Sequence, residues 1–143
     1  MNPTKGDFCV TKIVQEHSKT LKSNKIMHLQ FLADYEHYQR FSEKITNCTY
    51  ERNGERLFCE DTCEIIRRLV EENVIVEKGP SAMTFIGLHP DNSLPTEEEL
   101  SRHELESIET TCEKYMSVDA NELKQNTTSL QVFQSTRESN SVL

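Results

Sequence analysis

The 143-residue sequence contains no tryptophan and only four glycines and four prolines. Collagen-like and low-complexity disordered chains are rich in glycine and proline, so the composition excludes both classes and indicates a globular protein. No apolar run approaches the roughly 18 residues that a membrane-spanning helix requires. The beginning, MNPTKGDFCV, also lacks the apolar segment of a secretory signal. We therefore expect a cytoplasmic protein with no membrane partner.

The sequence also lacks the motifs of common catalytic and metal sites. It has no phosphate-binding glycine loop, no nucleophile elbow and no HExxH motif. Cys59 and Cys63 are not followed by a second cysteine or histidine pair at zinc-finger spacing. We therefore expect no enzyme activity, no cofactor and no bound metal. An odd number of thiols cannot all pair, so a reducing compartment is favoured for the five cysteines, which are Cys9, Cys48, Cys59, Cys63 and Cys112.

Positive charge is scarce: 16 lysines and arginines face 24 acidic residues, which gives a net charge of −8. Residues 91–143 contribute eleven of the acids and only four of the bases. An acidic surface repels phosphate backbones and anionic lipid heads. The charge therefore disfavours a nucleic-acid partner, and a basic protein is the more natural partner.

The apolar periodicity predicts a mainly α (α+β) fold, a compact helical domain around a buried central helix with one or two small β-hairpins. Residues 25–41 carry apolar side chains on two opposite faces, which predicts that this helix is central and packed on both sides. Asn53-Gly54 and the stretch Lys78-Gly79-Pro80-Ser81 indicate the hairpin turns. The other predicted helices span 7–21, 61–73, 95–116 and a short segment from 119, with N-caps expected near residue 24 and at Asp61, Thr96 and Asp119.

The central helix carries three polar residues, His28, Asp34 and His37, which raise the question of a site. His28 and Asp34 are six residues apart, about 240° round the helix, so one helix cannot direct all three side chains to one ion. Asp34 and His37 are three apart and therefore neighbours. We expect them to form a hydrogen-bonded pair that orients nearby groups, with direct contact to a partner as the alternative.

A second hypothesis comes from the predicted helix 61–73 followed by a hairpin over 74–88, an order typical of the second half of a winged helix. It would make the protein a DNA-binding regulator. Residues 60–78 contain six acids and three bases, and this balance disfavours contact with phosphates. A thiol or metal enzyme is the third and least favoured hypothesis.

Three stretches in order, KIMHLQFLADYEHYQRFSEKITNCTYER, EIIRRLVEENVIVEK and LSRHELESIETTCEKYMSVDANELKQNT, resemble the Panacea domain, the family that includes SocA-like antitoxins. The resemblance covers roughly residues 8–128, and we assign residues 1–128 to the domain. Residues 129–143 are rich in Ser, Thr, Gln and Asn, and we expect them to form a flexible tail. It implies a mostly helical protein that neutralises a cognate protein toxin by direct binding, within a toxin–antitoxin or mobile-element system. It names neither the toxin nor an oligomeric state.

The sequence departs from the family at two places. The Tyr-Gly-Pro turn that usually follows the Thr-Tyr segment is replaced by Arg52-Asn53-Gly54-Glu55-Arg56, and the C-terminal histidine and tryptophan are missing. We therefore regard the chain as a divergent member. The candidate partner-binding residues are Asp34 and His37, which match the family motif, and Tyr50, Arg52, Arg56 and Phe58 on the first predicted hairpin.

Overall fold

A computed structural model describes residues 3–17, 21–79, 85–90, 94–115, 117–137 and 140–143. The structure is 58% helical with small antiparallel sheets, which confirms the mainly α (α+β) prediction. None of the helices in these residues is both long and apolar enough to cross a bilayer. The helices are α1 (Lys5–Glu16), α2 (Ser23–Phe41), α3 (Glu60–Glu71), α4 (Thr96–Glu99), α5 (Arg102–Tyr115), α6 (Ala120–Thr128) and α7 (Gln131–Gln134), and the strands are β1 (Tyr50–Asn53), β2 (Arg56–Phe58), β3 (Ile75–Lys78), β4 (Phe85–Leu88) and β5 (Ser141–Val142).

Helix α2 is the centre of the fold, as its two apolar faces predicted. Every side chain from Ile26 to Asp34 is buried, which requires packing all round the helix. Helices α1, α3, α5 and α6 provide that packing. The helix ends where Ser42 adopts a left-handed conformation with φ of 60°. Its beginning differs slightly from the prediction, because Ser23 is already helical and Lys22 occupies the N-cap position.

Helix α1 is displaced toward the N-terminus relative to the predicted span 7–21. A capping box starts it early: Thr4 N donates to Asp7 Oδ2 at 2.7 Å, and Asp7 N donates to Thr4 Oγ1 at 3.3 Å. The helix ends at Glu16, and Leu21 is extended rather than helical. Leu21 pairs with Ile86 through hydrogen bonds of 2.7 and 2.6 Å in the two directions.

Both predicted hairpins are present. In the first, Asn53 pairs with Arg56 across a turn in which Gly54 has a φ of 62°, a conformation that glycine adopts at little cost. In the second, β3 pairs with β4, while its turn, residues 80–84, lies outside the described residues. Strand β5 adds to the first hairpin by pairing with β1.

The predicted helix 95–116 is two helices. Leu100 is extended and buried between α4 and α5, and Ser101 begins α5 with its own capping box: Ser101 N donates to Glu104 Oε1 at 2.8 Å, and Glu104 N donates to Ser101 Oγ at 3.2 Å. Thr96 does not cap α4: it is the first helical residue, Pro95 occupies the N-cap position, and the Thr96 hydroxyl donates to Gln15 Oε1. The expected end at Met116 lies outside the described residues. Asp119 caps α6 as predicted.

The segment after Thr128, for which we expected flexibility, contributes to the core. Phe133 in α7 and Val142 in β5 are both fully buried. The boundary at residue 128 therefore does not mark the end of the packed chain. The polar composition of this segment concealed the few apolar residues that anchor it.

Candidate functional site

Asp34 is a fully buried carboxylate that fixes the loop between α2 and β1. Its Oδ1 accepts hydrogen bonds from Ile45 N at 2.8 Å and Thr46 N at 3.0 Å, and its Oδ2 accepts from Thr46 Oγ1 at 2.6 Å and Tyr50 Oη at 2.5 Å. Burial raises the pKa of Asp34 above its ordinary 3.8, although the hydrogen bonds from Thr46 and Tyr50 lower it. Asp34 thus orients neighbouring backbone and side chains, as the sequence indicated.

Tyr50 is the partner of Asp34 on the hairpin side. Its side chain is fully buried, with the ring packed edge-on against Phe31 at a centroid distance of 5.1 Å. Burial, followed by the nearby charge of Asp34, raises the pKa of Tyr50. Asp34 and Tyr50 lie inside the fold, so in this conformation their contribution to a binding surface is to position the hairpin.

His37 does not form the expected hydrogen-bonded pair with Asp34. Its Nδ1 lies 2.9 Å from Ser107 Oγ on α5 instead, and its ring packs against Phe41 at 4.7 Å. Desolvation by burial lowers the pKa of His37. The prediction did not take account of α5, which packs on this side of α2 and places the Ser107 hydroxyl next to His37. His37 therefore links two helices.

Arg52 also turns inward, toward the C-terminal segment. Its Nη1 donates to the carbonyl oxygens of Phe133, Gln134 and Thr136 at 3.2, 3.2 and 2.8 Å. The guanidinium carbon lies 4.8 Å from the centre of the Phe133 ring, close enough for a cation–π interaction. Arg52 thus joins the first hairpin to α7 and the residues after it.

Arg56 and Phe58 remain at the surface and line a groove of about 640 Å³. The groove runs between α2, the first hairpin, α3 and α6. Phe58 is 38% exposed, which makes it one of the few large apolar side chains at the surface of the described chain. Arg56 and Lys124 are the charged residues among those that line the groove, so its wall is locally basic on an acidic protein.

His28 forms part of the groove floor. Its Nδ1 lies 3.3 Å from Thr127 Oγ1, and that hydroxyl donates its proton to the carbonyl of Leu123. Thr127 Oγ1 can therefore only accept from His28, which places the imidazole proton on Nδ1. Burial, with a smaller contribution from Lys124, lowers the pKa of His28 to about 4. The imidazole is neutral at physiological pH.

Among the described residues, one group could hold a metal ion: Cys48, Cys59 and Asp61, whose donor atoms lie within 4.8 Å of one another. A hydrogen bond with Cys48 lowers the pKa of Cys59 to about 7, although burial opposes this. The same contact, together with burial, raises the pKa of Cys48. Cys63 is exposed on α3 and lies outside this group.

This group was not predicted from the sequence, because the only cysteine pair considered as metal ligands was Cys59 and Cys63. Cys48 precedes β1 and Cys59 follows β2, so the antiparallel pairing of the hairpin brings the two thiols together. The predicted hairpin was therefore the available signal. Asp61, expected as an N-cap, instead lies in the first turn of α3, where its Oδ2 accepts a hydrogen bond from Thr49 N at 2.8 Å.

The two arginines of α3 are engaged within the protein. Arg67 contacts Glu64 and Glu71 at 2.5 and 3.9 Å, and Arg68 contacts Asp7 at 2.8 Å. These ion pairs neutralise the positive charge that a DNA-reading helix would present to phosphates. In the folded chain, as in the sequence, the charge of this helix disfavours the winged-helix hypothesis.

Comparison with known proteins found no matching family model, no matching curated protein and no matching solved structure. The resemblance to the Panacea domain thus depends on the quoted residues alone.

Proposed function

We propose that this chain is a cytoplasmic, antitoxin-like protein that neutralises a cognate toxin by direct protein–protein binding, as part of a toxin–antitoxin or mobile-element system. The Panacea resemblance supplies the function class. The main structural support for the proposal is the groove with Phe58 at its edge, because the groove provides a defined surface for toxin binding. We infer that the toxin inserts a segment there.

Phe58 has the properties of an anchor residue. Aromatic side chains next to concave surfaces supply much of the energy of protein interfaces, and arginine is also enriched among such residues. Phe58 and Arg56 lie on one short strand and both line the groove. A toxin segment with an apolar side chain in the groove and a carboxylate against Arg56 would use both contacts.

The distribution of charge favours such a partner. The net charge of −8 attracts a basic protein over long distances and accelerates encounter. The groove itself carries Arg56 and Lys124 and therefore favours a local acidic or carbonyl-rich segment. A basic toxin with one acidic docking segment satisfies both conditions.

The buried network supports the same surface from within. Asp34 binds Tyr50 at the start of β1, and β1 pairs with β2, which carries Arg56 and Phe58. Because Asp34 belongs to the central helix, the hairpin is attached to the most buried part of the fold. We infer that this network keeps the groove wall preorganised, which reduces the entropic cost of binding.

Co-expression with toxic open reading frames that adjoin the gene tests the proposal. We expect the wild-type chain to restore growth with one of them, and Phe58→Ala to weaken binding to that toxin by about 30-fold or more, since interface anchors contribute 2 kcal/mol or more. Tyr38→Ala is the matched control, because Tyr38 is also an exposed aromatic (44%) and is absent from the groove lining.

Two results would contradict the proposal. If no adjoining gene product is neutralised by the wild-type chain, the antitoxin function is wrong. If Phe58→Ala and Tyr38→Ala both bind the toxin as tightly as the wild type, binding occurs elsewhere and the groove is not the docking surface.

A further inference from the structure

The thiols of Cys48 and Cys59 and the carboxylate of Asp61 have the geometry of a metal site. Their donor atoms all lie within 4.8 Å of one another. A tetrahedral zinc ion with bonds of about 2.3 Å to sulfur places two thiolates roughly 3.8 Å apart. The three donors therefore need only small side-chain movements to reach a common ion. Two sulfurs and one carboxylate oxygen are also ligands that Zn²⁺ accepts.

Gln30 gives an independent reason to regard Cys48 as a metal ligand. The side chain of Gln30 is fully buried, and its Nε2 lies 3.1 Å from Cys48 Sγ. Thr62 Oγ1 donates to Gln30 Oε1 at 2.6 Å, so the amide is oriented with its NH₂ group toward the sulfur. A thiolate accepts this hydrogen bond better than a thiol does. In metal sites, hydrogen bonds of this kind from neighbouring residues to the ligands orient the ligands and stabilise their charged form.

A cation can approach two of the three donors from the surface. Cys48 and Asp61 line a cleft of about 230 Å³, which is also lined by Glu64 and Arg68, while Cys59 is fully buried beside them. Asp61 uses Oδ2 to accept the hydrogen bond from Thr49 N, and its Oδ1 can coordinate an ion. Water from the cleft can occupy the fourth position of a tetrahedral site.

We propose that Cys48, Cys59 and Asp61 form a binding site for a thiophilic divalent cation of the Zn²⁺ class. Coordination replaces the thiol protons of the two cysteines, which are released to solvent. The ion joins the segment before β1 to the beginning of α3. It therefore closes the base of the hairpin that carries the groove residues Arg56 and Phe58. This site is distinct from the groove and does not depend on the proposed antitoxin function.

Zinc binding by the full chain, reduced with a phosphine and dialysed against Zn²⁺, tests the site. We expect one zinc per chain, with the affinity reduced by about 100-fold or more in Cys48→Ser and in Cys59→Ser. Cys63→Ser is the matched control, because Cys63 lies within α3, shortly after Cys59, but is exposed and outside the group. It should bind zinc like the wild type. Zinc should also raise the Tm of the wild type but not that of Cys59→Ser.

Absence of stoichiometric zinc in the reduced wild type would overturn the proposal, as would full zinc affinity in both serine variants. If a serine variant fails to fold, Co²⁺ added to the wild type decides. A thiolate-to-cobalt charge-transfer band with the intensity of two sulfur ligands supports the site, and its absence overturns it. Formation of a Cys48–Cys59 disulfide that persists under the phosphine, in place of zinc binding, also overturns it.

Discussion

Tyr50 Oη donates a 2.5 Å hydrogen bond to Asp34 Oδ2, although the two residues are sixteen positions apart in the chain. The bond joins the central helix to the first strand of the hairpin. Both side chains are fully buried, so neither can exchange its partner for water without opening the fold. The contact fixes where the hairpin leaves the core, and through it the position of Arg56 and Phe58.

Tyr50→Phe should therefore destabilise the protein. The change removes a hydrogen bond to a buried carboxyl oxygen while it keeps the ring that packs on Phe31, and we expect a loss of about 1–3 kcal/mol in the free energy of unfolding. Urea denaturation of the two proteins measures the difference. Tyr38→Phe serves as control, since Tyr38 is exposed. Equal losses in the two variants would show that the bond to Asp34 contributes no net stability.

His28 should make stability dependent on pH on the acidic side. Its pKa is about 4 in the folded chain against an ordinary 6.5, so between these values the unfolded state binds more protons. The free energy of unfolding therefore falls as pH falls from about 6.5 to 4, by about 3 kcal/mol in total from this residue. Above pH 6.5 the contribution is fully present.

Comparison of the wild type with His28→Gln isolates this contribution. We expect the pH dependence of the variant to be flatter between pH 6.5 and 4 by about that amount. His103→Gln is the control, because 65% of the His103 side chain is exposed. An unchanged slope in His28→Gln would mean that the imidazole is protonated in the folded chain as easily as in the unfolded one.

Arg52→Ala should release the C-terminal segment. The variant loses the donors to the carbonyl oxygens of Phe133, Gln134 and Thr136, and we expect a loss of about 1–3 kcal/mol. Hydrogen exchange should accelerate in α7 and β5 more than in α2. Arg67→Ala is a suitable comparison, because the Arg67 side chain is 65% exposed and its ion pairs, with Glu64 and Glu71, lie on its own helix. Uniform acceleration throughout the chain would contradict a local role for Arg52.

The central helix could be predicted because the pattern of its side chains shows which of its faces are packed against other elements. Apolar residues on opposite faces require packing on both sides, and the structure buries every position from Ile26 to Asp34. The hairpins were predictable for a similar local reason, since Asn53-Gly54 favours a tight turn. Helix boundaries were less accurate between Thr96 and Ser101, where the predicted helix is interrupted at the extended, buried Leu100 and begins again at the capping box of Ser101.

Partners of buried polar groups could not be read from the sequence. Spacing on one helix suggested a pair between Asp34 and His37. In the folded protein, Asp34 accepts hydrogen bonds from Thr46 and Tyr50. His37 is hydrogen-bonded to Ser107 instead. Contacts over such separations depend on how the helices pack. For the same reason, three of the six candidate binding residues, Asp34, His37 and Tyr50, are buried, and Arg52 is bound to the C-terminal segment. Of the six, Arg56 and Phe58 line the groove.

The central proposal is that this chain inhibits its cognate toxin by binding to it. The most direct test is to titrate the toxin with the chain while the activity of the toxin is measured. A binding antitoxin should abolish toxin activity at a fixed molar ratio, and the neutralised toxin should be recovered unmodified when the complex is dissociated. Loss of toxin activity at strongly substoichiometric amounts, with a chemically altered toxin, would show catalysis and contradict the account.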